Sequence, residues 1–425
     1  MTPYATWSSS LDARGLALDG DDVWVATSGG LDRYRGETRE RRHYAVADGL
    51  DTLDVRDVSV DGGRVGVRTA TGHCVLAAMP DRFTCTPAPP PPPVVERLPP
   101  FRGHPVAARV TTRRETWIAT RGGGAFVLPG GDETRAVSVG GRGAVPRSFV
   151  HAAATFSGSL WLGTFEEGLY RIALDGKGAL PSVLADAAAR VAAPVRLVNR
   201  IVATGGSSPA LYVGASEGLF VSRDGKTFSR VSSVAPAAIT GLAATDENLW
   251  VATTEALYRL PLSGRGRVEM SVVRPEGTRA IQDLTVDDRG TAWLATEDRG
   301  VVRVAPDLGT RAFDRVAGLP SSWFVAVDAD GAGGVVATSL RHGTVRITEG
   351  GTWEDVPWAP SPWGLGVRHD AQRTCIGTQG GVTCAYADGS YASLADLPDP
   401  RVHLVFPVAG SVLVGTEAGL ALYAL

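Results

Sequence analysis

The segment Trp293-Leu294-Ala295-Thr296, followed by Gly300-Val301-Val302-Arg303, decides the fold because variants of it recur along the whole chain. The position of its closing threonine is occupied, in order, by Thr27, Thr69, Thr120, Thr164, Ala215, Thr253, Thr296, Thr338, Thr378 and Thr416. These positions are roughly 40 to 50 residues apart, which is the period of a β-propeller blade. The repeat therefore predicts a ring of small antiparallel sheets.

Each repeat has the pattern of four short strands joined by tight turns. In one copy, an inner strand at 281–286 precedes Asp287-Asp288-Arg289-Gly290, a composition that favours a tight turn. The tryptophan strand, a short glycine turn, a third strand and an outer strand follow. This regular spacing of strands and turns indicates an all-β propeller of about ten four-stranded blades.

The two ends of the chain predict how the ring closes. The last repeat ends at Leu425 after three strands, whereas residues 4–9 form a spare strand before the first inner strand. Pairing that strand with the last repeat would remove two exposed sheet edges. We therefore expect residues 1–425 to form a single ring closed by the N-terminal strand. Because ten blades exceed the usual four to eight, the alternative is two five-bladed propellers with a boundary near residues 227–238.

A proline-rich stretch at residues 87–100 interrupts the repeats between the second and third units. Proline has no N–H to donate to a sheet, so a run of prolines is expected to pass outside the blades. The first interpretation is a stiff polyproline connector. The alternative is a ligand for an aromatic groove on a partner protein.

The repeat resembles that of the two-component-regulator propeller family. The resemblance lies in the Trp161-Leu162-Gly163-Thr164 strand, in Gly168-Leu169-Tyr170-Arg171, and in Gly318-Leu319-Pro320 before an inner strand. It covers nearly the whole chain. In that family such propellers are usually extracytoplasmic sensor regions, so the resemblance implies a binding role outside the cytoplasm.

The four cysteines predict two disulfides. A two-residue turn at Gln379-Gly380 places Cys375 opposite Cys384 in a hairpin, at a site where Cα atoms approach to about 4.5 Å. Disulfide geometry tolerates that distance. Cys74 and Cys85 flank a second turn in the same way. Two disulfides within blades indicate an oxidising compartment, and the alternative is four buried thiols in a cytoplasmic protein.

Charge and hydropathy exclude several classes of partner. The formal net charge of −3 gives no reason to expect nucleic-acid binding. No run of 18 apolar residues is present, so we expect no membrane insertion. Met1-Thr2-Pro3-Tyr4 lacks the basic-then-apolar pattern of a signal segment. We expect an extracytoplasmic, periplasmic or secreted protein whose signal has been removed, with a cytoplasmic location as the alternative.

Several short motifs imitate catalytic or metal-binding sites. Residues 214–218 match Gly-x-Ser-x-Gly, but they occupy a strand-to-strand turn rather than the strand-to-helix elbow that exposes a nucleophile. Asp328-Ala329-Asp330-Gly331 falls at the first tight turn of its repeat, where Asp and Gly serve the backbone. The cysteine spacing does not match a zinc site. The sequence therefore predicts no catalytic residue, metal or cofactor.

The inner strands hold the best candidates for binding residues, since they line the hub of a propeller and their copies differ most. The predicted contacts are His151, Arg200, Asp283, Trp323, Trp363 and His403. Polar and aromatic side chains near one axis suit a pocket for a small molecule or glycan. The alternative is a water-filled channel with solvated walls.

Three function classes follow. We expect a non-enzymatic binding or interaction module that recognises a ligand or protein partner through its loop face or hub. A second hypothesis is a lyase or hydrolase that uses His151 or His403. A third is a structural component of a larger assembly.

Overall fold

The protein is described by a computed structural model, and its chain is almost entirely β-structure. The described residues are 5–8, 12–36, 38, 40–77, 81–89, 98–121, 124–138, 150–165, 167–178, 188–206, 208–262, 271–273, 278, 280–408, 410–417 and 419–424. They form ten antiparallel sheets, nine with four strands and one with five. The helical elements in these ranges are two single-turn 3-10 helices, Val46–Asp48 and Glu133–Arg135. The predicted all-β fold of about ten four-stranded units is confirmed.

The N-terminal third of the chain contains one separate strand, β1 (Ala5–Ser8), and three sheets that we call array sheets 1 to 3. Array sheet 1 comprises β2 (Ala13–Asp19), β3 (Asp22–Thr27), β4 (Gly30–Arg35) and β5 (Glu40–Tyr44). Array sheet 2 comprises β6 (Val55–Asp61), β7 (Arg64–Thr69), β8 (Gly72–Ala77) and β9 (Arg82–Pro87). Array sheet 3 comprises β10 (Leu98–Phe101), β11 (His104–Thr111), β12 (Glu115–Thr120), β13 (Gly124–Pro129) and β14 (Val137–Ser138).

The remaining strands form seven sheets, which we call ring sheets 1 to 7. Ring sheet 1 comprises β15 (Val150–Phe156), β16 (Ser159–Thr164), β17 (Leu169–Ala173) and β18 (Ala188–Val191). Ring sheet 2 comprises β19 (Val198–Thr204), β20 (Ala210–Ala215), β21 (Gly218–Ser222) and β22 (Ser229–Arg230). Ring sheet 3 comprises β23 (Ile239–Ala244), β24 (Asn248–Thr253), β25 (Leu257–Pro261) and β26 (Ser271–Val273). Ring sheets 4 and 5 comprise β27 (Ile281–Val286), β28 (Ala292–Thr296), β29 (Val301–Val304) and β30 (Thr310–Phe313); and β31 (Phe324–Ala329), β32 (Val335–Ser339), β33 (Thr344–Ile347) and β34 (Trp353–Asp355). Ring sheet 6 comprises β35 (Gly364–His369), β36 (Arg373–Thr378), β37 (Gly381–Tyr386) and β38 (Tyr391–Leu394), and ring sheet 7 comprises β39 (Val402–Val408), β40 (Ser411–Thr416), β41 (Gly419–Ala424) and β1.

The seven ring sheets close on themselves. Their inner strands β15, β19, β23, β27, β31, β35 and β39 contact one another in that order, and β39 contacts β15. Apolar side chains fill the joint between the last and first ring sheets, where Leu404 and Leu413 pack with Leu160 and Leu162. The inner strands therefore complete a circle of seven sheets.

The N-terminal strand closes this circle, as the sequence predicted. β1 pairs antiparallel with β41, with Ala5 opposite Leu422 and Ser8 opposite Gly419. It becomes the outermost strand of ring sheet 7 and covers an edge that would otherwise present unpaired backbone groups. Because β1 precedes the array sheets, the array is inserted between the closing strand and the first ring sheet.

The three array sheets pack beside one another and do not enter the circle. The inner strand β2 contacts both β6 and β11. On one face of β3, Trp24 and Ala26 pack against array sheet 2; on the other, Val23 and Val25 pack with Trp117 of array sheet 3. The structure thus corrects the predicted arrangement: the ten sheets divide into seven and three, rather than forming one ring of ten or two rings of five.

A polar sheet face explains why the array ends at array sheet 2. Its strand register aligns a row of exposed side chains on the face turned away from array sheet 1: Ser59, Arg64, Arg68, His73, Val75, Arg82, Thr84 and Thr86. Burying these groups against another sheet without hydrogen-bond partners would be unfavourable. This face acts as the solvated end of the stack.

The other end of the array is covered by its own chain. Array sheet 3 has an apolar outer face that includes Ile118, Phe126 and Leu128. Phe101, in the extra strand β10, packs edge-on against Phe126 with ring centroids 5.3 Å apart. Arg102 donates a hydrogen bond to the carbonyl of Ala136 at 3.2 Å. The turn after β10 therefore folds across this face, which explains the fifth strand.

Two further predictions concern the proline-rich stretch and the cysteines. Residues 90–97 lie outside the described residues, whereas Pro99 and Pro100 belong to β10. Because β10 is an edge strand, it tolerates residues without an N–H, so the structure corrects the expectation that these two prolines lie outside the sheets. The disulfides are confirmed: Cys74–Cys85 and Cys375–Cys384 link directly opposed residues, with Cα atoms 3.9 and 4.0 Å apart. No helix within the described ranges is long and apolar enough to cross a membrane.

Candidate functional site

The centre of the seven-sheet ring contains a cavity of about 770 Å³ that is lined by all seven inner strands. Adjacent inner strands run parallel, so all seven begin at one end of the cavity, which we call the N-terminal end, and finish at the C-terminal end. A volume of this size is within the usual range for small-molecule sites. The array sheets contribute no residue to its wall.

Four of the six predicted contacts line this cavity. His151, Arg200, Asp283 and His403 come from ring sheets 1, 2, 4 and 7 and lie near the starts of their inner strands. Ring closure thus brings residues separated by as many as 252 positions in the sequence to one end of one cavity.

The two predicted tryptophans lie outside the cavity wall. Trp323 and Trp363 directly precede the inner strands of ring sheets 5 and 6 and are 39% and 38% exposed. The guanidinium of Arg341 lies over the ring of Trp363, 5.4 Å from its centroid. Both tryptophans are therefore near the N-terminal end of the cavity, where they stay predicted contacts for a ligand that extends beyond it.

Arg200 and Asp283 form an ion pair across the cavity wall. The Nε and Nη2 atoms of Arg200 donate to Oδ1 of Asp283 at 3.1 and 2.8 Å. The equivalent position in the intervening ring sheet 3 is Gly241, which has no side chain to separate them. Oδ2 of Asp283 accepts from the backbone N–H of Val327 at 3.1 Å. The pair therefore connects three ring sheets.

His151 is held neutral by its surroundings. Burial lowers the pKa of His151, and the positive charges of Arg200 and His403 lower it further. The hydrogen bond to Val198 raises the pKa but does not offset these effects, and the resulting pKa is about 4. Nε2 lies 2.5 Å from the carbonyl oxygen of Val198, so this nitrogen carries the hydrogen and donates it. His151 therefore bridges ring sheets 1 and 2 as an uncharged imidazole at neutral pH.

His403 belongs to a group of charged residues at the same end. Its Nε2 is 3.2 Å from Oε1 of Glu417, whose other oxygen pairs with Arg401. Hydrogen bonds to Asp399, together with the charges of Asp399, Glu417 and Asp54, raise the pKa of Arg401. Because Asp54 belongs to the array, the array and the ring are electrostatically coupled here. The sequence analysis did not identify Arg401 or Asp54.

Asp328 is a cavity residue that the sequence analysis assigned to a turn. It lies in the inner strand of ring sheet 5, where Oδ1 accepts from Thr285 at 3.0 Å and Oδ2 from the backbone N–H of His369 at 2.7 Å. Burial raises its pKa above the ordinary value for aspartate, against the opposing charge of Arg368. Asp330 instead serves the turn, accepting from two backbone N–H groups. The two aspartates differ in position: Asp328 lies within the inner strand, whereas Asp330 lies in the turn that follows it.

Arg368 and His369, at the C-terminal end of the cavity, were also missed. Both line the wall at the end of β35. Arg368 lies 3.7 Å from Oδ2 of Asp328 and its side chain is 49% exposed. Nδ1 of His369 is 2.8 Å from Oγ1 of Thr374. Both occupy the last two positions of their inner strand, whereas the predicted contacts lie near the strand starts.

Two motifs with the spacing of a metal or nucleophile site have structural explanations in the described part of the chain. Asp51, Cys74 and Cys85 form the one cluster there with metal-ligand spacing, but both cysteines are in a disulfide and offer no thiolate. The Gly-x-Ser-x-Gly match joins β20 to β21 as a hairpin, as the repeat position predicted. Neither feature supports chemistry at these residues.

No protein-family model matches the chain, and no curated protein sequence matches it. Among solved structures, the extracellular domain of a hybrid two-component system from B. thetaiotaomicron is 12% identical, with a TM-score of 0.52 over 97% of this chain and 70% of that chain. A second such domain from that organism is 14% identical, with a TM-score of 0.54 over 95% of this chain and 60% of that one.

A shorter match is also found. Virginiamycin B lyase from Staphylococcus aureus, in a catalytically inactive form with quinupristin, is 11% identical, with a TM-score of 0.52 over 65% of this chain and 95% of that chain. That share of this chain is about the size of the ring alone. At such identities the likeness concerns the fold. The chain is therefore a propeller-type repeat protein whose fold resembles the extracellular domains of two-component systems, as its repeat predicted.

Proposed function

We propose that this protein is a non-enzymatic binding module that holds a small polar ligand, such as an oligosaccharide, in the central cavity of its ring. The observation that carries this proposal is the convergence of His151, Arg200, Asp283 and His403 in one cavity of about 770 Å³. A blade repeat needs no such set for packing, since its apolar core lies between the sheets. A small ligand is favoured over a protein partner because these groups are inside a cavity.

The rigidity of the cavity wall supports a binding role. Side chains of one inner strand bond the next, as in the contact of Asp283 with Val327 and of Thr285 with Asp328. A wall fixed in this way needs little reorganisation when a ligand binds, which favours affinity.

An extracytoplasmic location supports the same role. Two disulfides are present, and such bonds persist in oxidising compartments. The structural neighbours named above include extracellular domains. A ligand-binding propeller outside the cytoplasm is consistent with both observations.

The test is a comparison of two matched double variants. Arg200→Gln with His403→Gln changes the cavity, whereas Arg289→Gln with His342→Gln changes exposed residues of the same types outside its wall. A panel of oligosaccharides and small polar metabolites is measured by isothermal titration calorimetry. We expect the first variant to weaken binding by about tenfold or more and the second to leave it unchanged. Equal affinities in all three proteins would refute the cavity as the site.

An enzyme with a hub site is a second candidate, favoured by the pairing of His403 with Glu417 at 3.2 Å. A carboxylate beside an imidazole orients it and supports general acid–base chemistry. If the ligand found by calorimetry is converted to products, this function replaces simple binding. His403→Gln should then abolish turnover while binding persists, and conversion that survives this substitution would exclude His403.

A further inference from the structure

The two arginines of the cavity wall differ in how fully their guanidinium groups are used. Arg200 donates to Asp283 and to the carbonyls of Asn199 and Gln282. Arg368 makes one ion pair among the described residues, with Oδ2 of Asp328 at 3.7 Å. Several donors of Arg200 are therefore engaged within the wall, whereas most of the donors of Arg368 are available.

Asp328 is a weak partner for Arg368 because its oxygens are already engaged. Oδ1 accepts from Thr285 and Oδ2 from the backbone of His369. The separation of 3.7 Å also exceeds hydrogen-bond length. A ligand can therefore compete for the guanidinium without leaving a buried aspartate unsatisfied.

The neighbouring His369 offers a second donor. Its Nδ1 lies 2.8 Å from the hydroxyl of Thr374, and Nε2 has no hydrogen-bond partner within the described residues. Gly331 lies beside this nitrogen: an added Cβ there would be 3.0 Å from Nε2. When the Thr374 hydroxyl donates to Nδ1, Nε2 carries the hydrogen and can donate it to a ligand.

We propose that Arg368 and Nε2 of His369 form an anion-binding subsite at the C-terminal end of the cavity, which takes a carboxylate, phosphate or sulfate group of the ligand. A guanidinium suits such groups because its planar fork of donors matches two of their oxygens. This subsite rests on the proposed function, since it assigns an acidic group to the ligand that the cavity holds.

The acidic residues at this end predict which substitution should strengthen anion binding. Asp287 accepts from the backbone N–H groups of Arg289 and Thr291 and so serves its turn. Asp288 also lines this end, is exposed, and makes no ion pair with Arg368 in the described structure. Its carboxylate repels a bound anion, and Asp288→Asn should therefore strengthen anion binding.

The experiment titrates acetate, inorganic phosphate and inorganic sulfate into the full chain at constant ionic strength. The Cε1–Hε1 NMR signal of His369 and calorimetry report binding. We expect saturable binding in the wild type, about tenfold weaker binding for Arg368→Gln, and about twofold tighter binding for Asp288→Asn. The control Arg289→Gln, which removes an exposed charge near this end that is paired with Glu349, should have no effect. Tighter binding of acetate than of phosphate and sulfate indicates a site for a carboxylate, and the opposite order indicates a site for a phosphate or sulfate group.

Three results would overturn the subsite: no binding of any probe to the wild type, equal affinity in Arg368→Gln, or an equal loss in Arg289→Gln. Failure of the subsite is separable from failure of the proposed function by the calorimetric panel. A neutral ligand that binds the wild type and Arg368→Gln alike leaves the function standing and removes the subsite. If no ligand of either kind enters the cavity, both are refuted.

Discussion

The ring and the array are built from the same repeat, yet only the ring closes. In ring sheet 4, every residue of Ala292–Thr296 is buried, because both faces of the strand meet a neighbouring sheet. In array sheet 2, Arg64–Thr69 alternates between exposed and buried residues. A blade continues a propeller only when both of its faces are apolar, so one polar face is enough to end the stack.

One position in the repeat accounts for this difference. Where a unit has a tryptophan at this position, the tryptophan packs onto the next sheet: Trp293 onto ring sheet 5 and Trp24 onto array sheet 2. Trp117 packs onto array sheet 1, so the stacking order of the array is 3, 1, 2. In array sheet 2 the equivalent residue is Gly66, on the exposed face. Array sheet 2 therefore lacks a large apolar side chain at this position, and no further sheet packs on its outer face.

Removing the closing strand should have the largest effect on the ring. Deleting residues 1–8 takes β1 from β41 and leaves an open edge on ring sheet 7. We expect the melting temperature of the ring to fall by about 10 °C or more, since several kilocalories of pairing and packing are lost. Differential scanning calorimetry measures this. A melting temperature equal to that of the full chain would contradict closure by β1.

Removing a packing tryptophan of the ring should cost far more stability than truncating a side chain on the exposed face of the array. Trp293→Ala leaves a cavity between ring sheets 4 and 5 and should lower the free energy of unfolding by about 3–5 kcal/mol. Val75→Ala, on the exposed face of array sheet 2, should lower it by less than about 0.5 kcal/mol. Urea denaturation followed by fluorescence gives both values. Similar losses at the two sites would mean that the array face is covered after all.

The buried histidine of the ring should lose its contribution to stability at a higher pH than the buried aspartate of the array. The folded-state pKa of His151 is lowered to about 4, so its contribution is complete above the ordinary pKa of about 6.5 and is lost as pH falls towards 4. The loss is about 2–3 kcal/mol. His151→Gln should remove this part of the pH dependence.

The array responds at lower pH because its buried titrating group is an aspartate. Burial alone would raise the pKa of Asp32. The charge of Arg41 and the hydrogen bond of His43 outweigh burial and hold this pKa below its ordinary value. Its contribution is complete above pH of about 4 and is lost below that. Urea denaturation between pH 7.5 and pH 4.5 tests the order. An array that unfolds first over that range would reverse the prediction.

Changing the polar face should have the smallest effect on stability and a clear effect on association. Gly66→Trp with Arg68→Leu places two large apolar side chains at the centre of the polar outer face of array sheet 2. We expect the free energy of unfolding to change by less than about 1 kcal/mol and dimers to form at micromolar concentration. Sedimentation velocity detects them. Thr84→Ser with Thr86→Ser, on the same face, serves as the polar control and should stay monomeric like the parent; dimers in both variants would show that the polar face is not what prevents association.

The sequence predicted some of the residues that line the cavity and missed others, and the reason is the position of each residue in its strand. Arg200 and Asp283 occupy one inner-strand position, and His151 and His403 occupy the bulged position one residue earlier, so the predicted alignment combined two neighbouring columns that both reach the cavity. Asp328, Arg368 and His369 lie near the ends of the inner strands of ring sheets 5 and 6, beside the turns, where Asp and Gly also serve the backbone. In ring sheet 5 the predicted alignment differs from the register by two residues: Ser339 rather than Thr338 pairs with Phe324 at the start of the inner strand, and Ala326 is the residue equivalent to Asp283.

The sequence by itself determined the strands, the turns, the closing role of the N-terminal strand and both disulfides. These features depend on contacts within one sheet, which follow from local alternation and turn residues. Only the tertiary structure decided that seven sheets form the ring and three stand beside it. That outcome depends on which sheet faces meet, and a face is assembled from four strands whose exposed residues, such as Arg68 and Thr84, are far apart in the repeat. The cavity follows from the same step, because its two ends exist only once seven inner strands surround one axis.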